Sequence, residues 1–392
     1  MSTHSFIFAG GGTGGHLYPG LAIGGELCAL AAEAGGTARC LYVCSNRPLD
    51  AKILGAAGVE FVASPASPLS LRPRGVVKFL RTWGRSVREA RAVIRGEREK
   101  YGAVTVVAMG GFVAAPVVQA ARAERVRILL VNLDAVPGKA NRLIARHALR
   151  KPLGLGAFSA ARVDARFARD WVTVPPIVRR EVMMPRDRAA CCARLGLDPA
   201  RPVLMVTGGS QGARSVNEFV TGFARSIAGN AVLHAGGWQV LHQTGKDADV
   251  EAAAAYREAG IDAVTCAFSE QMGDWWGAAG EGGGGGLAIA RSGAGNVAEV
   301  WATCTPTLFL PYPFHKDDHQ KHNARPLVDA GGAVLCTDLV SAEANLREHA
   351  GTLAGLMGDP SRRVAMRNAL TALGPADGAA RLARVLWEQG EG

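Results

Sequence analysis

Two short stretches, Gly10-Gly11-Gly12-Thr13-Gly14-Gly15-His16 and Gly208-Gly209-Ser210-Gln211-Gly212-Ala213, decide how this chain is read. Each follows a compact apolar run, Phe6-Ile7-Phe8-Ala9 in the first case and Val203-Leu204-Met205-Val206 in the second. Apolar runs of that length without polar alternation mark strands buried on both faces, as in parallel sheets. A glycine turn directly after such a strand opens a helix whose first N–H groups lack partners and whose positive dipole end favours an anion. Two such turns about half a chain apart predict two α/β halves, each able to hold a phosphate. The first turn ends in His16, so one loop combines an anion site with a titratable side chain.

Working outward, strand-like runs at residues 5–9, 39–44, 59–63, 104–109 and 127–131 alternate with helical stretches, which predicts a doubly wound parallel sheet. The pair Pro175-Pro176 breaks the pattern, and runs resume at 203–207, 238–243, 262–266, 286–290, 306–310 and 333–336. The expected domains are residues 1–176 and 177–374. A closing helix over 375–392, with Asp377 as N-cap and Ala380, Leu382, Val385 and Leu386 apolar, packs on one of the two sheets. Glu281 and the run Gly282–Gly286 form a flexible insert to which no role is assigned.

A length of 392 residues exceeds one ordinary core and agrees with two domains. Lys and Arg number 44 against 34 Asp and Glu, a net charge of +10, which implies an anionic partner: nucleic acid, a nucleotide or an acidic membrane surface. The eight cysteines, at 28, 40, 44, 191, 192, 266, 304 and 336, make no C-x-x-C pair and no zinc spacing, so a reducing, cytoplasmic setting is expected and no metal. No signal peptide is apparent, because Met1 to His4 lacks a basic region. Ala103 to Ala121 is uncharged and almost long enough to cross a bilayer, but Gly110-Gly111 and Pro116 interrupt it, and no transmembrane span is expected.

Gly10 to Gly15 also satisfies the G-x-G-x-x-G spacing of dinucleotide-binding oxidoreductases. A nicotinamide site wants Asp or Glu at the end of the second strand, where this chain runs Cys40-Leu41-Tyr42-Val43-Cys44 into Ser45-Asn46, which argues against that class. His16, with an ordinary pKa near 6.5, suits a general base at neutral pH; in isolation it reads equally as a helix-cap or packing histidine. In the second half, Arg291-Ser292-Gly293-Ala294-Gly295-Asn296 follows a strand and opens a helix that carries Glu299 one turn deeper, a candidate diphosphate site with a carboxylate for ribose hydroxyls. Pro311 to Gln320 then gathers polar side chains, among them His315, Asp317, His319 and Gln320, where sugar hydroxyls could be read. Between residues 72 and 98, Val76, Leu80, Trp83, Val87, Ala90 and Ile94 recur at helical spacing beside Arg81, Arg85, Arg88 and Arg95. Such a basic amphipathic segment either buries its stripe on the sheet or meets anionic lipid, and periodicity does not choose.

Taken together and in order, these segments resemble the MurG family, the N-acetylglucosaminyltransferases that convert lipid I to lipid II in peptidoglycan synthesis. The matching residues are Gly11-Gly12-Thr13-Gly14-Gly15-His16 with Pro19 and Leu21-Ala22, Met109-Gly110-Gly111-Phe112-Val113, Gly208 to Ala213, Arg291-Ser292-Gly293-Ala294 with Glu299, and Asp317 to Gln320 with Asn323-Ala324. The resemblance covers essentially the whole chain. It implies a GT-B fold, two Rossmann-like domains facing across a cleft, with the C-terminal helix crossing back to the first domain. The implied donor is UDP-GlcNAc and the implied acceptor undecaprenyl-linked lipid I, with no nucleic acid and no metal or other cofactor.

Carried over residue by residue, the resemblance places Ser210, Gln211 and Arg179 near the diphosphate, completed by Thr13, Gly14 and Gly15. Ser292, Gly293, Ala294, Gly295 and Glu299 line the uridine and ribose, and His319 and Gln320 the GlcNAc hydroxyls. His16 becomes the base that takes a proton from the acceptor hydroxyl. The family also implies a peripheral protein on the cytoplasmic face of the inner membrane, held by anionic lipid through residues 72–98. Two departures stand out. Val131-Asn132-Leu133-Asp134 replaces the family's His-Glu-Gln-Asn, although Gly138 and Asn141 still fit, so Asp134 and Asn141 are the candidate acceptor contacts. Val174-Pro175-Pro176 replaces Gly-Asn-Pro and is one residue longer, so the diphosphate arginine is Arg179 or Arg180. A related enzyme with a different acceptor, or a catalytically silent sugar-nucleotide binder, are the alternatives these departures leave.

Overall fold

The computed structural model describes residues 3–68, 73–148, 154–159, 171–183, 186–209, 212–280 and 285–388. The chain divides into two compact units, Met1–Arg179 with Asp377–Gly392, and Arg180–Ala376.

The first unit runs β1 (Thr3–Ala9), α1 (Gly14–Glu33), β2 (Thr37–Ser45), α2 (Pro48–Ala56), β3 (Phe61–Ser64), α3 (Pro73–Tyr101), β4 (Ala103–Ala108), α4 (Gly111–Ala123), β5 (Arg127–Asn132), α5 (Lys139–Ala148), β6 (Gly154–Ser159) and β7 (Trp171–Val174). Its seven strands form one sheet in the order β3-β2-β1-β4-β5-β6-β7, and each pairing is parallel. Successive side chains of a strand point to opposite faces, and β1 shows why both faces need cover. Phe6 and Phe8 enter a core with Leu17, Ile23 and Leu27 of α1. Ile7 and Ala9 enter the opposite core with Ile94 of α3 and Val113, Val117 and Val118 of α4. The strands β6 and β7 were not anticipated from the sequence. Gly154-Leu155-Gly156-Ala157 is poor in β-branched residues, and the Pro175-Pro176 pair obscures the short run before it.

The second unit runs α6 (Arg180–Met183), α7 (Arg188–Leu195), β8 (Val203–Thr207), α8 (Arg214–Arg225), α9 (Ile227–Ala235), β9 (Gln239–Gln243), α10 (Asp249–Glu258), β10 (Ala263–Cys266), α11 (Met272–Ala278), β11 (Leu287–Ala290), α12 (Ala294–Thr303), β12 (Thr307–Phe309), α13 (His319–Asp329), β13 (Ala333–Leu335), α14 (Ala342–Gly358) and α15 (Pro360–Thr371). Six parallel strands take the order β10-β9-β8-β11-β12-β13. Residues 281–284 of the glycine insert lie outside the described residues.

The last helix, α16 (Gly378–Glu388), belongs to the first unit. Its start is tied to the chain between β7 and α6, where Gly378 N donates to the Pro176 carbonyl at 3.2 Å. Leu382, Ala383, Leu386 and Trp387 share the core of α1. The Asp377 carboxylate accepts from Arg381 Nε at 2.9 Å.

The amphipathic stripe of α3 divides. Its later half is core, with Ile94 0 % and Ala90 5 % exposed, while Leu80 is 65 % and Val77 47 % exposed in its earlier half. The burial reading therefore holds for the later half, and the earlier half of the stripe is exposed. Among the described residues no helix is long and apolar enough to cross a membrane.

In each sheet one pair of neighbouring strands marks where the winding reverses, β1 beside β4 in the first and β8 beside β11 in the second. Ligands of open α/β sheets bind at the carboxyl ends of such strands. The turn after β1 holds Gly10 to His16 and the turn after β4 holds Gly110-Gly111; the turn after β8 holds Gly208 to Ala213 and that after β11 holds Arg291 to Gly293. Topology thus brings these four glycine turns to two crevices.

Candidate active site

At the first crevice, Thr13 is the extended residue before α1, and its hydroxyl lies 3.4 Å from Nδ1 of His16 in the first turn. The imidazole rests on the β4–α4 turn. A Cβ built on Gly111 would come within 3.2 Å of His16 Cε1, and φ of +76° there favours glycine independently. His16 is half-buried. Burial lowers its pKa below the ordinary 6.5, opposed by the Asp134 charge, a hydrogen bond to the Gly11 backbone and the Asp50 charge. At neutral pH the ring is therefore neutral and able to accept a proton.

Asp134 and Asn141 are brought to this same crevice. The Asn141 amide donates to Asn132 Oδ1 at 2.9 Å, and the Asn132 amide donates to the Asp134 carbonyl at 2.6 Å. The departure from the family pattern is thus partly internal bracing, and Val131 is fully buried in the core beside α1. Asn141 Oδ1 is buried without a hydrogen-bond partner. Arg179 belongs to this first unit, its guanidinium 4.2 Å from the centre of the Tyr18 ring on α1. Arg180, by contrast, opens α6 in the second unit.

The Gly12 N–H, which precedes the helix, is not free, because it donates to Asp50 Oδ2 at 2.8 Å. Sequence reasoning passed over Asp50. The signal was its place in the first turn of α2, directly after the strand end that was searched for an acidic residue. Gly14 and Gly15 are the first two residues of α1.

At the second crevice, Ser210 and Gln211 lie outside the described residues. Around them, Gly209 N donates to the Thr207 hydroxyl at 3.1 Å and Gly212 N to the Gly209 carbonyl at 3.0 Å. Gly293 is the extended residue before α12, and Ala294 and Gly295 open the helix with no side-chain cap. The Ser292 hydroxyl is fully buried and has no hydrogen-bond partner among the described residues. A buried polar group left unmade in this way is uncommon and marks a place where a ligand or water completes the set. Glu299 is buried and accepts from the Trp276 indole at 2.7 Å. His319 Nδ1 lies 2.8 Å from Asp317 Oδ1, and its ring is 4.1 Å from that of His315. The Gln320 carbonyl accepts from Tyr312 N at 2.8 Å, which braces the loop ahead of α13.

Arg291 does something the sequence did not disclose. Its guanidinium is buried and donates to the carbonyls of Leu310 and Pro311 at 2.8 and 2.9 Å and to the Ser215 hydroxyl at 2.8 Å, and it pairs with Asp338 at 2.7 Å. Burial would raise the Asp338 carboxyl, but hydrogen bonds from Asn345 and Ser215 and the Arg291 charge hold it below its ordinary value. This network fixes the turn after β11 against the loop after β12.

Two wound sheets, with a half-buried histidine at one switch point and an uncapped helix start at the other, define a two-domain α/β protein with a candidate ligand crevice in each domain. Residues 6–151 match the glycosyltransferase family 28 N-terminal domain and residues 203–372 the glycosyltransferase family 28 C-terminal domain. The chain is 35 % identical over 391 residues to the UDP-N-acetylglucosamine--N-acetylmuramyl-(pentapeptide) pyrophosphoryl-undecaprenol N-acetylglucosamine transferase of Nocardioides sp. (strain ATCC BAA-499 / JS614), covering 98 % of each chain. It is 35 % identical over 399 residues to the like-named enzyme of Rhodococcus opacus (strain B4), covering 98 % of this chain and 96 % of that one. Among solved structures, Acinetobacter baumannii MurG superposes with a TM-score of 0.66 at 19 % identity, covering 98 % and 99 % of the two chains. The calicheamicin glycosyltransferase CalG4 superposes at 0.58 with 16 % identity, covering 99 % and 98 %, so the fold alone does not select an acceptor. By sequence the chain belongs to glycosyltransferase family 28 and, within it, to the MurG family.

Proposed function

We propose that the protein transfers GlcNAc from UDP-GlcNAc to the C4 hydroxyl of the MurNAc in undecaprenyl-pyrophosphoryl-MurNAc-pentapeptide, the step from lipid I to lipid II in peptidoglycan synthesis. The observation that carries this reading is end-to-end identity of 35 % to relatives whose names state both the sugar and its acceptor. In the first unit His16 takes the proton as the hydroxyl attacks the anomeric carbon with inversion. Burial keeps its ring neutral and ready for that transfer. In the second unit the start of α12 and the orphaned Ser292 hydroxyl receive the donor, and the helix dipole stabilises the charge that develops on departing UDP. No metal takes part in this reading.

The test is transfer of labelled GlcNAc from UDP-GlcNAc to a short-chain lipid I analogue, beside a control without acceptor. Transfer is expected only with the analogue. UDP-GlcNAc binding without transfer would instead favour a different acceptor, the reading motivated by Val131-Asn132-Leu133-Asp134.

The membrane contact is placed on the earlier half of α3. Arg91, Arg95 and Arg98 converge on Glu124, at 2.6, 2.9 and 3.4 Å, and serve the fold. Exposed Arg74, Lys78 and Arg81 flank exposed Val77 and Leu80 and supply the basic apolar surface that anionic lipid attracts. Flotation with liposomes containing anionic lipid is expected to carry the protein, and equal recovery on neutral liposomes would defeat the electrostatic part.

A further inference from the structure

The segment that links β2 to α2 does more than connect them. Asp50 is fully buried, and its Oδ2 accepts three hydrogen bonds, from Gly12 N at 2.8 Å, Ser45 N at 3.0 Å and Ser45 Oγ at 2.7 Å. Gly11 makes room for it, since a Cβ there would stand 2.5 Å from the same oxygen. On the other side of the turn, Arg47 donates to the Gly12 carbonyl at 2.6 Å, and its guanidinium lies 5.7 Å from the centre of the Phe112 ring. Phe112 in turn sits so close that a Cβ on Gly12 would meet its edge at 2.7 Å. Both faces of the Gly12 peptide region are therefore held by side chains only three residues apart in sequence. His16 follows within one helical turn of that peptide.

We infer that Asp50 and Arg47 are positioning residues for the transfer reaction, clamping the first glycine turn from both sides and so fixing His16 over the β4–α4 turn. A binding loop that must adapt to a phosphate gains nothing from having its own amide filled, whereas a loop that must present one side chain gains a fixed geometry. The buried carboxylate also contributes charge. The charged groups that face His16 are Asp134 from the segment after β5 and Asp50 from α2, and both favour the protonated ring against its burial. Asp50 thus acts on His16 twice, through the backbone it holds and through its field.

This inference rests on His16 being the base, so its test includes a readout that needs no acceptor. Asp50→Asn keeps an acceptor oxygen for the three donors and removes the charge. NMR titration of the His16 ring, identified by its loss in His16→Ala, is expected to move to lower pH in Asp50→Asn. Without the charge the three hydrogen bonds weaken and the turn loosens, so in the transfer assay kcat is expected to fall, by up to about 100-fold if His16 shifts by on the order of 1 Å, with KM for UDP-GlcNAc within about twofold. The acid limb of the kcat profile should shift down with the titration. An unchanged His16 titration overturns the inference, whether kcat falls or not, because a purely structural role would leave the ring's proton affinity alone. Should Asp50→Asn fail to fold, Arg47→Met retains the stem against Phe112 and loses the bond to Gly12; kcat within twofold of the parent would then overturn it. Absence of transfer by the parent protein, with a His16 titration that still responds to Asp50→Asn, would count against the proposed acceptor and leave the clamp standing.

Discussion

At the β1/β4 switch point the Gly12 amide is already taken by Asp50 and the neighbouring turn supports His16, whereas at the β8/β11 switch point the Ser292 hydroxyl is buried without a partner among the described residues; α1 and α12 alike start without a side-chain cap. Topology and glycine content are alike in the two places. What differs is which groups the protein fills itself. Glycine in such a turn reports that two pieces of backbone or side chain must come close; whether the approaching group is a ligand or the protein's own carboxylate is decided by residues elsewhere in the chain. Both crevices keep a buried polar atom without a partner among the described residues, Asn141 Oδ1 in the first and Ser292 Oγ in the second, and the first also presents the His16 ring.

The sharpest way to break this division is His16→Ala. A positioned base contributes about 10²- to 10⁴-fold, so kcat should drop by that amount while UDP affinity, measured by calorimetry, stays within about twofold. Equal loss of UDP binding would mean that the first crevice is a donor site after all. Arg291→Met addresses the second crevice. It strands buried Asp338 without its partner, and removal of one member of a buried pair costs about 3–5 kcal/mol, to be read from the denaturation midpoint. A loss below about 1 kcal/mol would show that the network does not hold the β11 turn.

Asp134→Asn should act more gently. Asp134 is the leading influence that raises the His16 pKa against burial, so its loss lowers that pKa further. Because the neutral ring is the active form, the acid limb of kcat should move to lower pH, with less than about a tenfold change at neutral pH. A limb that moves up would place Asp134 in substrate binding instead. The smallest effect expected is none: prolonged treatment with a chelator should leave transfer unchanged, and a loss restored by a divalent cation would require the diphosphate charge to be met by metal.

Much of this architecture was legible in the residue pattern. The apolar runs that became β1, β4, β5, β8 and β11 are strands buried on both faces, and a parallel sheet leaves them no other composition. The strands β6 and β7 were illegible because small residues and a proline pair hide the period. The stripe on α3 was ambiguous for a physical reason, since one amphipathic face is buried over its later half and exposed over its earlier half. In the site, His16, Ser292 and the start of α12 could be found from their turns, as those signals are local. Asp50 and the Arg291–Asp338 pair could not, because their meaning lies in partners 38 and 47 residues away that only the folded chain supplies.

The return of α16 has a consequence for the order of events in synthesis. The helix that carries His16 in its first turn buries Leu17, Ile23 and Leu27 in a core that also contains Leu382, Leu386 and Trp387. A ribosome therefore releases the amino-terminal sheet long before the residues that finish its covering exist. Until position 387 has emerged, that apolar surface stands open, so the amino-terminal unit reaches its final packing only after the whole of the carboxyl-terminal unit has been made. A chain stopped short of α16 would carry every residue proposed for chemistry and still expose the side of the sheet on which α1 is seated.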